Sequence, residues 1–166
     1  CKIHYDIYED NSNELKNKLI ELSIKKNFLL MEDRKFVDIS YTVEKQYRKY
    51  SNWIDLITVM GNVNDEVISK LSGVVLISNM SNNKYDYIET TIEIANKYPD
   101  RIIGIVTQYR INLNGLINMT PGINKEKYSI DDQNYRSIKE VDTDIYIVGR
   151  AIYNSNNYIT SAEIYR

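Results

Sequence analysis

The chain holds one cysteine, Cys1, and one histidine, His4, in 166 residues. One thiol makes no internal disulfide, and a Cys/His zinc site has too few ligands. So little cysteine use leads to the expectation of a reducing, cytoplasmic setting. Charge of one sign is also lacking: 21 Lys+Arg face 23 Asp+Glu, a net charge of −2. That balance supplies no field that argues for nucleic-acid binding. No apolar run approaches the roughly 18 residues of a transmembrane helix, so no membrane association is expected. No internal repeat, linker or low-complexity block divides the chain, and its length suits one domain over residues 1–166. The first residue is not Met and no basic-then-apolar leader follows it, so the sequence reads as processed or as a piece of something longer.

Hydrophobic residues make up 43% of the chain, enough for a core and too many for a disordered segment. Tyr occurs 15 times, Ala only at 95, 151 and 162, and Lys outnumbers Arg 14 to 7. That skew reads as genome composition rather than chemistry. Short apolar runs alternate with amphipathic stretches. Strands are predicted at Lys2–Ile7, Phe28–Met31 running into Glu32–Phe36, Ile54–Met60, Gly73–Ile77, Arg101–Val106, Leu116–Met119 and Asp144–Val148. Helices are predicted at Asn13–Lys26, Tyr41–Tyr50, Asn64–Leu71 and Tyr87–Tyr98, the last stopping before Pro99. A short helix over Ser137–Val141 is a further candidate. GVVLI and FLLM are apolar on both faces, as in parallel strands covered on both sides. Repeated β–α units mean an α/β fold, either a doubly wound sheet or a (β/α)8 barrel. A barrel usually takes at least ~200 residues, and seven strands fall one short of eight.

The densest chemistry is Glu32-Asp33-Arg34-Lys35-Phe36-Val37-Asp38, directly after FLLM. Strand alternation points Asp33 and Lys35 the same way. An arbitrary EDRK would be a solvated strand end. Here the charges end an apolar strand, and the D-x-K-x-x-D spacing is specific. Lys2 and His4 share a face of a second strand, though either alone would be surface or structural.

KIHYDI, FLLMEDRKFVDISYT, NMTPGI, DDQNYRS and IVGRAIY follow one another in the order found in the orotidine 5′-phosphate decarboxylase family, which the sequence resembles from Lys2 to about Tyr153. The resemblance implies a homodimeric TIM barrel with no metal or organic cofactor, acting in UMP biosynthesis. It implies that Lys35 protonates C6 of the pyrimidine as CO2 leaves, within a charge array of Lys2, Asp33, Lys35 and Asp38. Asp38 and Thr42 would be donated across the dimer interface. His4 would line the ribose and carboxylate, and Ser81 would hydrogen-bond the pyrimidine. Gln133, Tyr135 and Arg150 would grip the phosphate, the first two from a mobile loop. In many eukaryotes the family domain follows an orotate phosphoribosyltransferase domain.

The sequence departs from the family pattern in places. No strand with a ribose-binding aspartate precedes Cys1, so an incomplete barrel of seven strands is expected, with Lys2–Ile7 and Asp144–Val148 facing an open slot. Met60 stands where the family often has His, and Ser40-Tyr41 replace Gly-Asn. A non-catalytic or truncated remnant that binds nucleotide or supports a fused partner is the alternative to an active enzyme. The complete set of lysines and aspartates opposes it.

Overall fold

In a computed structural model of the chain, residues 1–81, 85–113, 115–125, 128–130 and 133–165 are described, with backbone alone for 128–130 and 133. Seven parallel strands form one sheet: β1 (Lys2–Ile3), β2 (Met31–Phe36), β3 (Leu56–Met60), β4 (Val74–Ile77), β5 (Ile102–Val106), β6 (Ile117–Pro121) and, after three short strands, β10 (Ile145–Ile147). They pair in that order, so each strand lies beside the next in sequence. This is the strand arrangement of a TIM barrel, seven strands wide. Among the described residues β1 and β10 have no partner on their outer edges.

Alternation along the strands explains the apolar runs. Val74 and Leu76 belong to a core with Ile57, Val59, Ile102 and Ile105, on the face that α3 (Ile88–Lys97) covers with Ile94 and Ala95. Val75 and Ile77 point the other way, into a second cluster with Met31, Val106 and Met119. Both faces of the sheet are therefore buried, which requires the apolar-everywhere strands seen in GVVLI. Gly73 makes the entry to β4 possible: its φ is +64°, and a Cβ there would lie 2.1 Å from the Asp55 carbonyl oxygen.

Two of the outer helical segments are capped by side chains. Ser12 Oγ accepts the Leu15 N–H at 3.2 Å to start α1 (Asn13–Lys26), and Asn27 ends it in a left-handed conformation. α2 (Ser40–Tyr47) buries only Val43. Asn64 caps Asp65–Lys70, which is a 3-10 helix rather than an α-helix.

Other boundaries also differ from the sequence expectation. Lys2–Ile7 is a strand only as far as Ile3; Tyr5–Ile7 is a 3-10 turn whose Tyr5 N–H donates to Glu32 at 2.9 Å. The strand expected from Phe28 into Glu32–Phe36 starts only at Met31 and runs through the charged residues to Phe36 as expected. Glu32 and Asp33 are buried there. Ser137–Val141 holds a short 3-10 helix, Ile138–Glu140. A small second sheet was not anticipated: β7 (Ile123–Asn124) pairs parallel with β9 (Gln133–Ser137), and β8 (Tyr128–Ile130) pairs antiparallel with β9. Two short helices close the chain, α4 (Arg150–Tyr153) and α5 (Tyr158–Glu163). Among the described residues no helix is long and apolar enough to cross a membrane.

Candidate active site

Parallel strands that all run one way present their C-terminal ends on one rim, and that rim collects the candidate residues. Lys2 and His4 come from the end of β1, Asp33 and Lys35 from β2, Ser81 from the segment after β4, and Arg150 from the start of α4.

Asp33 is the centre of the first cluster. Its Oδ2 accepts from Lys2 Nζ at 2.7 Å, and its Oδ1 lies 2.9 Å from Lys35 Nζ. Burial alone would push the Asp33 pKa up, but the two ammonium groups outweigh it and hold the carboxyl below its usual range. His4 Nε2 sits 3.0 Å from Lys2 Nζ and 3.4 Å from Asp33 Oδ2. Burial, then the Lys2 charge, lowers the His4 pKa, so the ring is neutral at pH 7. In the tautomer that carries its proton on Nδ1, Nε2 accepts from the Lys2 ammonium, the shorter of its two contacts.

Asp33 and Lys35 meet, but not by simple strand alternation. Lys35 has φ +56°, a left-handed backbone, and the β2–β3 register slips between Glu32 and Phe36. The bulge redirects the lysine. Asp38 is not drawn into the cluster within this chain: it is exposed, and its Oδ1 accepts the Ile39 N–H at 2.7 Å. Thr42 is half-buried on α2, after the exposed side chains of Val37, Ile39 and Tyr41.

A cavity of about 440 Å³ occupies another part of the rim, lined by residues that include Asn79, Ser81, Gln108, Tyr109, Asn134 and Arg136. Asn79 Oδ1 accepts the Gln108 N–H at 2.7 Å, tying the ends of β4 and β5 together. Arg136 donates to the Gln108 carbonyl and lies 5.8 Å from the Tyr109 ring centroid, which holds the β8–β9 hairpin against β5. Ser81 belongs to this wall, and its carbonyl accepts from Asn134 Nδ2 at 3.3 Å. Tyr135 and Arg150 are brought together, the guanidinium 5.5 Å from the ring centroid. Tyr135 is buried on strand β9, where a loop was expected. Gln133 opens the same strand; its side chain lies outside the described residues.

Sequence reading passed over Thr58, Asn79, Gln108 and Arg136. The signal for the first three is a polar residue inside or just after an apolar strand, as in LITVM, VVLISN and IIGIVTQ. Arg136 carried no such signal, because its role depends on the fold of the hairpin.

Comparison with known proteins agrees with this geometry. Residues 1–165 match the sequence profile described as the Orotidine 5′-phosphate decarboxylase / HUMPS family. A uridine 5′-monophosphate synthase of Bos taurus is 32% identical over 99% of this chain and 39% of its own length. An orotidine 5′-phosphate decarboxylase of Kodamaea ohmeri is 35% identical over 92% of this chain and 69% of its own. The chain thus spans about two fifths of the synthases it matches and about seven tenths of the decarboxylases. Among solved structures, an orotidine 5′-monophosphate decarboxylase from Methanocaldococcus jannaschii, complexed with the inhibitor BMP, superposes with a TM-score of 0.66 at 23% identity, covering 90% of this chain and 78% of that one. One from Metallosphaera sedula gives 0.69 at 17% identity, with the same coverage. Those two likenesses concern the barrel. The matches over nearly the whole sequence decide the family: the chain belongs to the orotidine 5′-phosphate decarboxylase / HUMPS family.

Proposed function

We propose that this chain carries a decarboxylase centre that converts orotidine 5′-monophosphate to uridine 5′-monophosphate in pyrimidine biosynthesis. The observation that carries the reading is the pair of ammonium groups, Lys2 and Lys35, held on one buried carboxylate at the barrel rim. Breaking the bond between C6 and the carboxylate leaves an electron pair on C6 with little resonance delocalisation. Fixed positive charge beside C6 lowers the energy of that carbanion without reorganisation cost. In this reading Lys35 supplies the charge and then its proton to C6, CO2 departs, and the lysine regains a proton from solvent. Asp33 orients Lys35, and Lys2 balances its charge and orders His4 toward the ribose. Asp33 facing the substrate carboxylate would also raise the ground state.

Arg150 and Tyr135, with Gln133, take the phosphate in this proposal, and Ser81 takes the pyrimidine edge. Arg suits that role because its fork donates two parallel hydrogen bonds. Gripping a group remote from the breaking bond turns binding energy into orientation and exclusion of water. Asp38 and Thr42 complete the site of a second copy in a homodimer. The exposed Val37, Ile39 and Tyr41 around them supply apolar area for that contact. A fused orotate phosphoribosyltransferase domain fits the synthases among the relatives.

The test follows loss of orotidine 5′-monophosphate absorbance and, separately, calorimetric binding of uridine 5′-monophosphate. Lys35→Ala is expected to cut turnover by at least about a hundredfold, the usual share of a general acid, and to leave product binding nearly intact. Turnover at the wild-type rate would remove Lys35 from the mechanism.

A further inference from the structure

Thr58 lies in the middle of β3 and is 1% exposed. Its hydroxyl holds two partners at once. It accepts the Lys35 backbone N–H at 2.9 Å and donates to Asp33 Oδ1 at 2.9 Å. A hydroxyl has one proton and two lone pairs, and a carboxylate only accepts, so the direction of both bonds is fixed. Asp33 Oδ1 therefore receives Thr58 and Lys35 Nζ, while Oδ2 receives Lys2 Nζ.

The place of the hydroxyl matters because β2 is irregular there. Glu32 faces Ile57 and Phe36 faces Val59, so four steps on β2 match two on β3. Within this bulge Lys35 adopts φ +56°, a conformation disfavoured for a residue with a Cβ. A bulged residue loses its place in the ladder, and its N–H needs another acceptor. Thr58 provides one from a side chain. The other residues of β3, Leu56, Ile57, Val59 and Met60, carry no hydroxyl. A valine at position 58 would preserve the shape and lose both bonds.

We propose that Thr58 is a positioning residue for the reaction, its hydroxyl fixing the Lys35 backbone and the Asp33 carboxylate to one atom and so setting the Lys35 ammonium beside the reacting carbon. This rests on the function proposed above for Lys35. Without the hydroxyl, the bulge relaxes and the ammonium swings from its place. A misplacement of about 1 Å costs about a hundredfold in rate.

Two measurements test it on Thr58→Val and Thr58→Ser. In the first, kcat for orotidine 5′-monophosphate falls by about ten- to a hundredfold in the valine variant while KM changes by less than about threefold; serine restores kcat to within about threefold of wild type. In the second, hydrogen exchange of the Lys35 amide, read by NMR on the same proteins, is slow in wild type and serine and fast in valine. Should valine fail to fold, Thr58→Ala, which also lacks the hydroxyl, takes its place in both. Wild-type kcat in the valine or alanine variant, a serine variant as impaired as valine, or a Lys35 amide still protected without the hydroxyl would each overturn the proposal. If wild type itself releases no CO2 while the exchange pattern holds, the function proposed for the site falls and the tie between Thr58 and Lys35 stands.

Discussion

On the β1–β3 side of the rim, Lys2, Lys35 and Thr58, which contact the Asp33 carboxylate, all come from strands, and Asp33 is 9% exposed. On the β4–β10 side, the cavity walls come from connections and from strand β9, and Tyr85 and Tyr109 are 73% and 69% exposed. The first region is closed by charge: two ammonium groups and a threonine occupy one carboxylate. The second is an open cavity whose polar groups are tied to each other's backbone. The charged cluster sits on neighbouring strands, and at the bulge of β2 a side chain of β3, Thr58, holds the Lys35 backbone. In the proposed function the phosphate is gripped on this second side, by Arg150 of α4 and Tyr135 of β9, 5.5 Å apart from guanidinium to ring centroid.

Several experiments break or sharpen that contrast. The largest effect is expected from Asp33→Asn. Removing the carboxylate leaves two ammonium groups facing each other, a loss on the order of 3–5 kcal/mol for a fully buried pair and less here, because the Lys2 and Lys35 side chains are 26% and 35% exposed. Turnover should fall by at least about a hundredfold, and the melting temperature should drop with it. Unchanged melting and turnover would mean that the lysines need no counter-ion.

Arg150→Ala acts on the other region. It should weaken uridine 5′-monophosphate binding by about 2–5 kcal/mol, as when one partner of a desolvated charge pair is removed, and leave uridine binding unchanged. Calorimetry with both ligands reads the difference. Equal losses for the two would place Arg150 away from the phosphate.

The smallest effect concerns pH. Burial pushes the Glu32 pKa up to about 7, with Asp6 and Asp33 adding to the rise and the Tyr5 N–H and Arg34 opposing it. The folded state then holds a proton that the unfolded chain releases near 4.5. Stability from this group is full below 4.5 and is lost as pH rises to about 7, by up to about 3 kcal/mol. Asp33 has the opposite sign, since its lowered pKa makes stability fall as pH drops below its ordinary 3.8. Glu32→Gln should flatten the decline between pH 5 and 7 in denaturant titrations. An unchanged decline would assign it to other groups.

The two regions also differed in how far the sequence exposed them. Asp33 and Lys35 are candidates from motif and spacing, Lys2 and His4 from the family resemblance, and the structure brings the four side chains together. Their manner of meeting was not legible. Alternation would have aimed Asp33 and Lys35 alike, whereas the structure uses a bulge and a left-handed Lys35 pinned by Thr58. A positive φ at a lysine has no sequence signature. The seven parallel strands are visible in their apolar runs, and β2 differs only in starting at Met31 rather than Phe28, with Glu32 and Asp33 buried within it. The β8–β9 hairpin escaped because its polar, Tyr-containing sequence shows no apolar run, and its pairing is fixed by contacts with β7 and Gln108.

The division of labour between the two regions is the central claim, and turnover of a substrate with and without its phosphate tests it most directly. The comparison is kcat/KM for orotidine 5′-monophosphate and for orotidine in wild type, Lys35→Ala and Arg150→Ala. Lys35→Ala should lower both values by a similar factor, since the reacting carbon is common to both substrates. Arg150→Ala should lower the value for the phosphorylated substrate alone and leave orotidine at its wild-type rate. A Lys35→Ala loss confined to the phosphorylated substrate, or an Arg150→Ala loss shared equally by both, would contradict the account.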